Sequence, residues 1–421
     1  MRRKWIMAAA FLAALAAGGQ AADAALKGEA PRRKTAQTVQ TKKVQNTKDK
    51  DSAAAQKLKK DGKSPVIEVG LLSGQAEVKI RCLGDTSAEA GGKPWKTYKK
   101  GETISVSRSG DQIKIDGKKQ KGPVYLRMKK DGEAAFAVKG NTYRGDIKLL
   151  PSAYSSGVTV VNAVPMEAYL CGVVPSEISP SWHADAVKAQ AVAARTYAMY
   201  HRDGYRDAGY DVTDDTRSQV YRGTAVESAA TNQAVYDTAG EVVTYQGKPI
   251  DAVFHSNGGG YTENSENVWG SKIPYLRGVK EESSSVVNKA WTKTVALSDL
   301  QNKLGIGKLK KIELSKLKKG PVKAKDRGVS GRVRTFSVTG SKGKKDVTGD
   351  QMRSLFGLNS TLFDLKVKGK DLIITGYGSG HGLGLSQWGA EAMAAKNGDG
   401  KDYYKKILTH YFTDTKIEKI Y

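Results

Sequence analysis

Glu177 stands in Val173-Val174-Pro175-Ser176-Glu177-Ile178-Ser179-Pro180, a carboxyl group between two prolines and beside three apolar side chains. A carboxyl held still and partly dried can give a proton and later take one back near neutral pH. The bland alternative is a solvated loop glutamate. Glu167, two residues after Pro165, reads differently. In the first turn of a helix a carboxylate is favoured by unpaired N–H groups and the helix dipole, which is a structural job. Two further clusters carry polar chemistry. Phe254-His255-Ser256-Asn257-Gly258-Gly259-Gly260-Tyr261-Thr262 is a strand end opening into donors suited to sugar hydroxyls, and His255 could titrate or donate a hydrogen bond. Adjacent His255 and Ser256 make no nucleophilic triad, because neighbouring strand side chains point to opposite faces. The run from Gly376 to Gly389 alternates glycine with Tyr377, Ser379, His381, Leu383 and Leu385, then gives Ser386, Gln387 and Trp388. Such backbone can approach a ligand closely. It lacks the Gly-Lys-Ser/Thr of a phosphate loop. The five histidines are scattered and no Cys-x-x-Cys occurs, so no metal and no cofactor is expected.

Elements of several kinds must position these groups. From Pro65 to about Val160 the pattern is β-like. Val66–Leu71, Glu77–Ile80, Gln112–Ile115 and Val124–Arg127 alternate or run apolar, and Asp116-Gly117 and Asp131-Gly132 offer hairpin turns. A short helix is expected from Met166 to Val173, with Pro165 at its start. A second runs from about Ala184 to His201. On it Val187, Ala191, Ala194 and Ala198 share one face, small enough for close approach, with Arg195 and Tyr197 turned elsewhere. Gln219-Val220-Tyr221, Glu241–Tyr245 and Asp251–His255 read as short strands. The lysine-rich stretch carries a helix near Ser298–Leu304 and a strand at Arg334–Val338. Helices near Ser386–Ala395 and Tyr403–Tyr411 close the chain. The fold class is α+β: a helix-containing central domain with mixed short strands, preceded by a small β-rich domain.

The chain has 421 residues and a formal charge of +26. Such a field attracts polyanions. The first 24 residues read as an export signal: Arg2, Arg3 and Lys4, an apolar run Trp5–Ala17, and a cleavage site at Ala22-Asp23-Ala24. An uncleaved membrane anchor is the competing reading, and either puts the folded part outside the cytoplasm. Anionic wall polymers then become the expected partners. Nucleic acid is not expected, since aromatic residues do not interleave with the basic clusters. Residues 25–64 read as a disordered basic linker, rich in Lys and Arg with no aromatic residue. The remaining divisions are a β-rich domain at 65–160, a catalytic core at 161–290 and 371–421, and a lysine-rich lobe or insertion at 291–370. Cys82 and Cys171 read as small buried thiols.

The segments Val164–Glu177, Trp182, Lys188–Ala198, Ser218–Gly223, His255–Thr262 and Gly378–Gly389, in that order, resemble the SpoIID/LytB family of sporulation and cell-wall proteins. The resemblance spans about residues 160 to 415, with a gap in the lysine-rich stretch. It implies a lytic transglycosylase acting on peptidoglycan glycan strands, with Glu177 as the catalytic acid. Glu177 would protonate the oxygen between N-acetylmuramic acid and N-acetylglucosamine, then take a proton from the muramyl C6 hydroxyl as an anhydro ring closes. One carboxyl suffices because the nucleophile belongs to the substrate. Arg195, Tyr197, Gln219, Tyr221, His255, Ser256, Asn257, His381 and Gln387 would line the groove. Some family members carry Cys and His residues linked to zinc before the Gln-Val-Tyr-Arg-Gly stretch. Here Asp211–Ser218 contains neither, so no metal is carried over. Two rivals stay open. One is a non-catalytic wall-binding modifier that stimulates an N-acetylmuramoyl-L-alanine amidase. The other is a hydrolase pairing Glu177 with Asp214 or Asp215.

Overall fold

The computed structural model describes residues 64–128, 135–318, 320–398, 400 and 402–421. The expected signal, all but the last residue of the basic linker, and the Asp131-Gly132 turn lie outside the described residues. The fold is α+β, with helices and several separate sheets. The chain divides into two compact units. Of the described residues, the first holds those from 64 to 177 and Arg202–Tyr236; the second holds Ile178–His201 and Asp237–Tyr421.

The first unit is built on strand alternation. Glu77–Cys82 alternates exposed and buried side chains without a break, so Val78, Ile80 and Cys82 all face the interior. It belongs to a six-stranded sheet. In the same sheet Gln112–Ile115 turns back on Lys118–Gln120 through Asp116 and Gly117, both at positive φ, as a two-residue hairpin requires. Tyr98 donates to the Asp116 carboxylate at 2.7 Å and pins that turn. The other sheet has seven strands. Its strands Val66–Gln75 and Val158–Pro165 pair antiparallel, and Val69 pairs parallel with Val212.

Val158–Pro165 runs directly into a helix, Met166–Glu177. This helix is four residues longer than expected. Pro175 lies in its last turn, where the missing N–H leaves only the Cys171 carbonyl without its usual partner. Burial of Val173 and Val174 holds the turn in place. Gly172 lets the helix approach its neighbour: a Cβ there would meet the Tyr221 ring at 2.6 Å. Gln219-Val220-Tyr221 is irregular chain, not strand. Cys82 and Cys171 are unpaired buried thiols.

The second unit surrounds the helix Ala184–Tyr200. Val187, Ala191, Ala194 and Ala198 are buried as expected, but so are Ala186, Ala189, Val192, Ala193 and Arg195. The helix is therefore enclosed on nearly every side, and Arg195 turns into the interior. Around it pack Val243, Ile250, Leu383, Leu385 and side chains of the helices Gln387–Asn397 and Tyr403–Tyr411. Glu241–Tyr245 pairs with Lys416–Lys419. Of the expected strand Asp251–His255 only Phe254–His255 forms, pairing parallel with Leu385–Ser386. A separate apolar cluster, including Leu300, Phe336, Val338, Met352, Phe363 and Ile374, supports the stretch between these partners. There Leu297–Leu304 is helical, Thr335–Gly340 is a strand, and Gly349–Phe356 begins with a Thr348/Gln351 capping box.

Candidate functional site

Glu177 is the last residue of its helix and is half-buried, while every residue from Met166 to Val174 except Ala168 is buried. The chain passes from the first unit to the second directly after it. In the same unit, Gln219 and Tyr221 are 1% and 3% exposed. Gln219 accepts from the Tyr169 hydroxyl at 3.2 Å, and the Tyr221 hydroxyl donates to Asn162 Oδ1 at 2.9 Å. The Tyr169 and Tyr221 rings lie 4.9 Å apart. These two candidates thus build the interior behind the helix. Asp215 is held below the usual carboxylate range by a bidentate pair with Arg217. Asp214 is pushed up to about 6, first by burial and then by the charge of Asp215.

The second unit brings together the two polar loops. The parallel pair Phe254–His255 with Leu385–Ser386 continues as a bridge between Asn257 and Ser379. His255 is 4% exposed and its Nδ1–H donates to the Leu383 carbonyl at 3.0 Å. Burial, with His381 and Arg332 adding, holds its pKa well below the usual imidazole value. His255 is therefore neutral and does not titrate near pH 7. Its Nε2 is buried with no hydrogen-bond partner among the described residues. The His255 and His381 ring centroids lie 5.4 Å apart. His381 Nε2–H donates to the Phe254 carbonyl at 3.0 Å, and its Nδ1 accepts from Leu383 N–H at 3.1 Å. Both its nitrogens are spent on backbone, and burial pushes its pKa down to about 4. Asn257 is likewise spent, donating to Val286 and accepting from Gly259.

Groups that remain available stand close by in the sequence of contacts. Ser256 is half-buried, its carbonyl accepts from Trp388 N–H at 3.0 Å, and its hydroxyl has no partner among the described residues. Trp388 and Trp182 are both half-buried, with ring centroids 4.6 Å apart. Gln387 makes a long 3.5 Å contact to Gln190, whose Nε2 is buried and unpartnered among the described residues. Flat aromatic faces beside amide and hydroxyl groups can stack on a sugar ring and bond its hydroxyls. Arg195 is fully buried and donates to the Glu241 carbonyl at 3.2 Å, and Tyr197 packs on His201 with centroids 4.1 Å apart. Those two support the core.

The residues that hold the loops in shape had no expectation attached to them. Gly258 and Gly260 N–H groups both donate to Glu281, at 3.1 and 2.6 Å. Glu263 is fully buried and accepts from Val329 N–H, Ser330 N–H and the Ser330 hydroxyl. Arg332 Nη2 donates to the Gly258 carbonyl at 3.0 Å. One signal could have flagged Glu281: the consecutive Gly258-Gly259-Gly260 leaves backbone N–H groups converging, and such a nest needs an anion. Gly382 takes φ +82°, and a Cβ there would sit 2.2 Å from Arg332 Cζ. Among the described residues no three His, Cys, Asp or Glu side chains converge to hold a metal ion.

A family model described as stage II sporulation protein, SpoIID, matches residues 154–245. A second, for a domain of unknown function, matches residues 283–384. The stage II sporulation protein D of Bacillus subtilis (strain 168) is 35% identical over 283 residues, covering 63% of this chain and 78% of that protein. The chain belongs to the SpoIID/LytB family. An uncharacterised protein of Brachyspira hyodysenteriae is 34% identical over 323 residues, covering 75% of this chain and 82% of the relative. Similarity also reaches a protein named amidase enhancer, from Bacillus subtilis (strain 168). It is 29% identical over 366 residues, covering 75% of this chain but 50% of that longer protein.

Proposed function

We propose that this SpoIID/LytB family member works at the bacterial cell wall and cleaves peptidoglycan glycan strands by non-hydrolytic transglycosylation. The observation that carries the reading is Glu177, a half-buried carboxyl at the half-buried end of an otherwise buried helix. A carboxyl at a helix C-terminus meets the negative end of the macrodipole, which favours the proton-bearing form an acid starts from. Glu177 gives its proton to the glycosidic oxygen between N-acetylmuramic acid and N-acetylglucosamine. It then accepts the C6 hydroxyl proton as that oxygen attacks the anomeric carbon and closes an anhydro ring. Atoms balance without water. Within the second unit Trp182, Trp388, Ser256 and Gln387 offer groups that can stack on a sugar ring and bond its hydroxyls, and His255 and His381 brace the loop that carries Ser256. The +26 charge favours approach to an anionic wall, consistent with an exported protein. A relative named amidase enhancer favours a second reading, a wall-binding partner that stimulates an amidase.

The test uses the full chain on glycan stripped of its peptides. Wild type is expected to release fragments with anhydro-muramyl ends. Glu177→Gln is expected to abolish release while wall binding survives. Fragments heavier by one water would replace the transglycosylase with a hydrolase. No fragments from wild type would leave the amidase partner as the function.

A further inference from the structure

A cavity of about 280 Å³ lies within the second unit; its lining includes none of Ser256, Trp182, Gln387 and Trp388, but shares His381 with the glycine loop and Glu263 and Arg332 with the groups that hold the loops in shape. The segment Glu263–Gly270 contributes one part of its lining, and Arg332–Thr335, Thr348, Asp350 and Thr361 contribute the rest. Its charged groups fall into two classes. Some are already satisfied. Glu263 accepts from Ser330 and its neighbours, and both oxygens of Glu266 are taken by Arg277. The others are not. Arg334 and Asp350 are exposed and carry opposite charges; neither side chain makes a hydrogen bond or close ion pair with another described residue, and Arg353 acts on Asp350 only through its charge. Arg332 is 2% exposed and spends both Nη atoms on Tyr261, Ser330 and Gly258. Its Nε–H is buried with no partner among the described residues.

A buried charged donor left unsatisfied costs free energy unless a ligand completes it. Two opposite charges with open hydrogen-bonding positions on one small cavity would be wasted on a neutral sugar, whose hydroxyls need no ion. They suit a molecule that carries both charges itself. The volume is at the lower limit of ligand pockets, which run from about 300 Å³ upward. It accommodates an amino acid or a dipeptide end but not a glycan strand. We infer that this cavity binds a zwitterionic amino-acid group, its carboxylate on Arg334 and Arg332 Nε–H and its ammonium on Asp350. Such a group comes either from a free amino acid or from a short peptide, and the cavity would make the protein responsive to one of them. The inference does not depend on glycan cleavage.

The experiment is binding to the full chain, read by calorimetry, of alanine, alanyl-alanine and N-acetylalanine amide at up to about 10 mM. At least one zwitterionic probe is expected to saturate, and the doubly capped probe is not. Arg334→Gln and Asp350→Asn are each expected to weaken binding about tenfold or more, the worth of a charge-assisted hydrogen bond. Both positions are exposed, so circular dichroism should match wild type. Equal binding of alanine and alanyl-alanine assigns the free amino acid as the source; binding of the dipeptide alone assigns the peptide. The inference is overturned if no probe saturates, if the capped probe binds equally well, or if neither substitution changes affinity.

Discussion

Acid should loosen the second unit through His381, and the size of the effect follows from its hydrogen bonds. His381 donates from Nε2 to the Phe254 carbonyl and accepts at Nδ1 from Leu383 N–H. Protonating Nδ1 turns an acceptor into a donor aimed at another donor, and puts a second cation near Arg332. Burial first, and then the charges of Arg332 and Arg353, bring its pKa from 6.5 down to about 4, against the Phe254 hydrogen bond that favours the charged ring. A group with a depressed folded pKa and a basic conjugate form stabilises the fold fully above the unfolded value. That contribution is lost as pH falls from about 6.5 through 4. A shift of some 2.5 units corresponds to about 3 kcal/mol, and partial exposure of the ring brings this to about 2 kcal/mol. Glutamine can donate and accept in a similar way but does not titrate. His381→Gln should lower stability at pH 7 by about 1 kcal/mol and flatten the pH dependence between 6.5 and 4 by about 2 kcal/mol. The assay is urea unfolding followed by tryptophan fluorescence, to which Trp182, Trp269, Trp291 and Trp388 of this unit contribute. Carboxylates that titrate in the same range are common to both proteins and cancel in the difference. His255 adds to the residual slope of the variant, since its own pKa is depressed by burial. Parallel profiles for wild type and variant would refute the reasoning.

Asp214 gives the opposite sign. Its folded pKa of about 6 lies above the ordinary 3.8, so its contribution is intact below 3.8 and lost as pH rises through 6. Asp214→Asn should therefore raise stability at pH 8 by about 2 kcal/mol and leave it unchanged at pH 3.5, measured by denaturant midpoints. Gly382→Ala must accommodate a Cβ 2.2 Å from Arg332 Cζ at φ +82°, and should lower the unfolding free energy by about 2–4 kcal/mol. Burial pushes the pKa of both thiols up, so Cys82 and Cys171 should resist a thiol reagent in the native protein and react together on unfolding. Labelling of either in the native state would contradict their burial.

What could be read from the amino acids alone depended on how local the cause was. Glu77–Cys82 and the Asp116-Gly117 hairpin are governed by alternation and turn chemistry within a few residues, and both form as expected. The Met166 helix was expected to stop before Pro175. The proline is instead absorbed into the final turn because Val173 and Val174 are buried, a tertiary effect that no local rule contains. Gln219-Val220-Tyr221 alternates like a strand, yet its side chains are committed to Tyr169 and Asn162, distant in sequence. The glycine loop was legible from its composition. Its anchors, Glu263, Glu281 and Arg332, were not, because the backbone N–H and carbonyl groups they satisfy come from segments that only the fold brings together.

The stretch between Ala290 and Tyr377, itself part of the second unit, begins and ends at directly paired positions on adjacent strands. By backbone geometry it resembles a detachable cassette, since a tight turn could close the gap. Electrostatics forbids that surgery. Glu263 lies outside the cassette, and Val329 and Ser330 inside it supply several of its donors; Arg332, also inside, holds the Gly258 carbonyl. Deleting the cassette would strand a carboxylate in a dry interior and release the glycine loop, so a shortened chain should fail even though its ends can be joined.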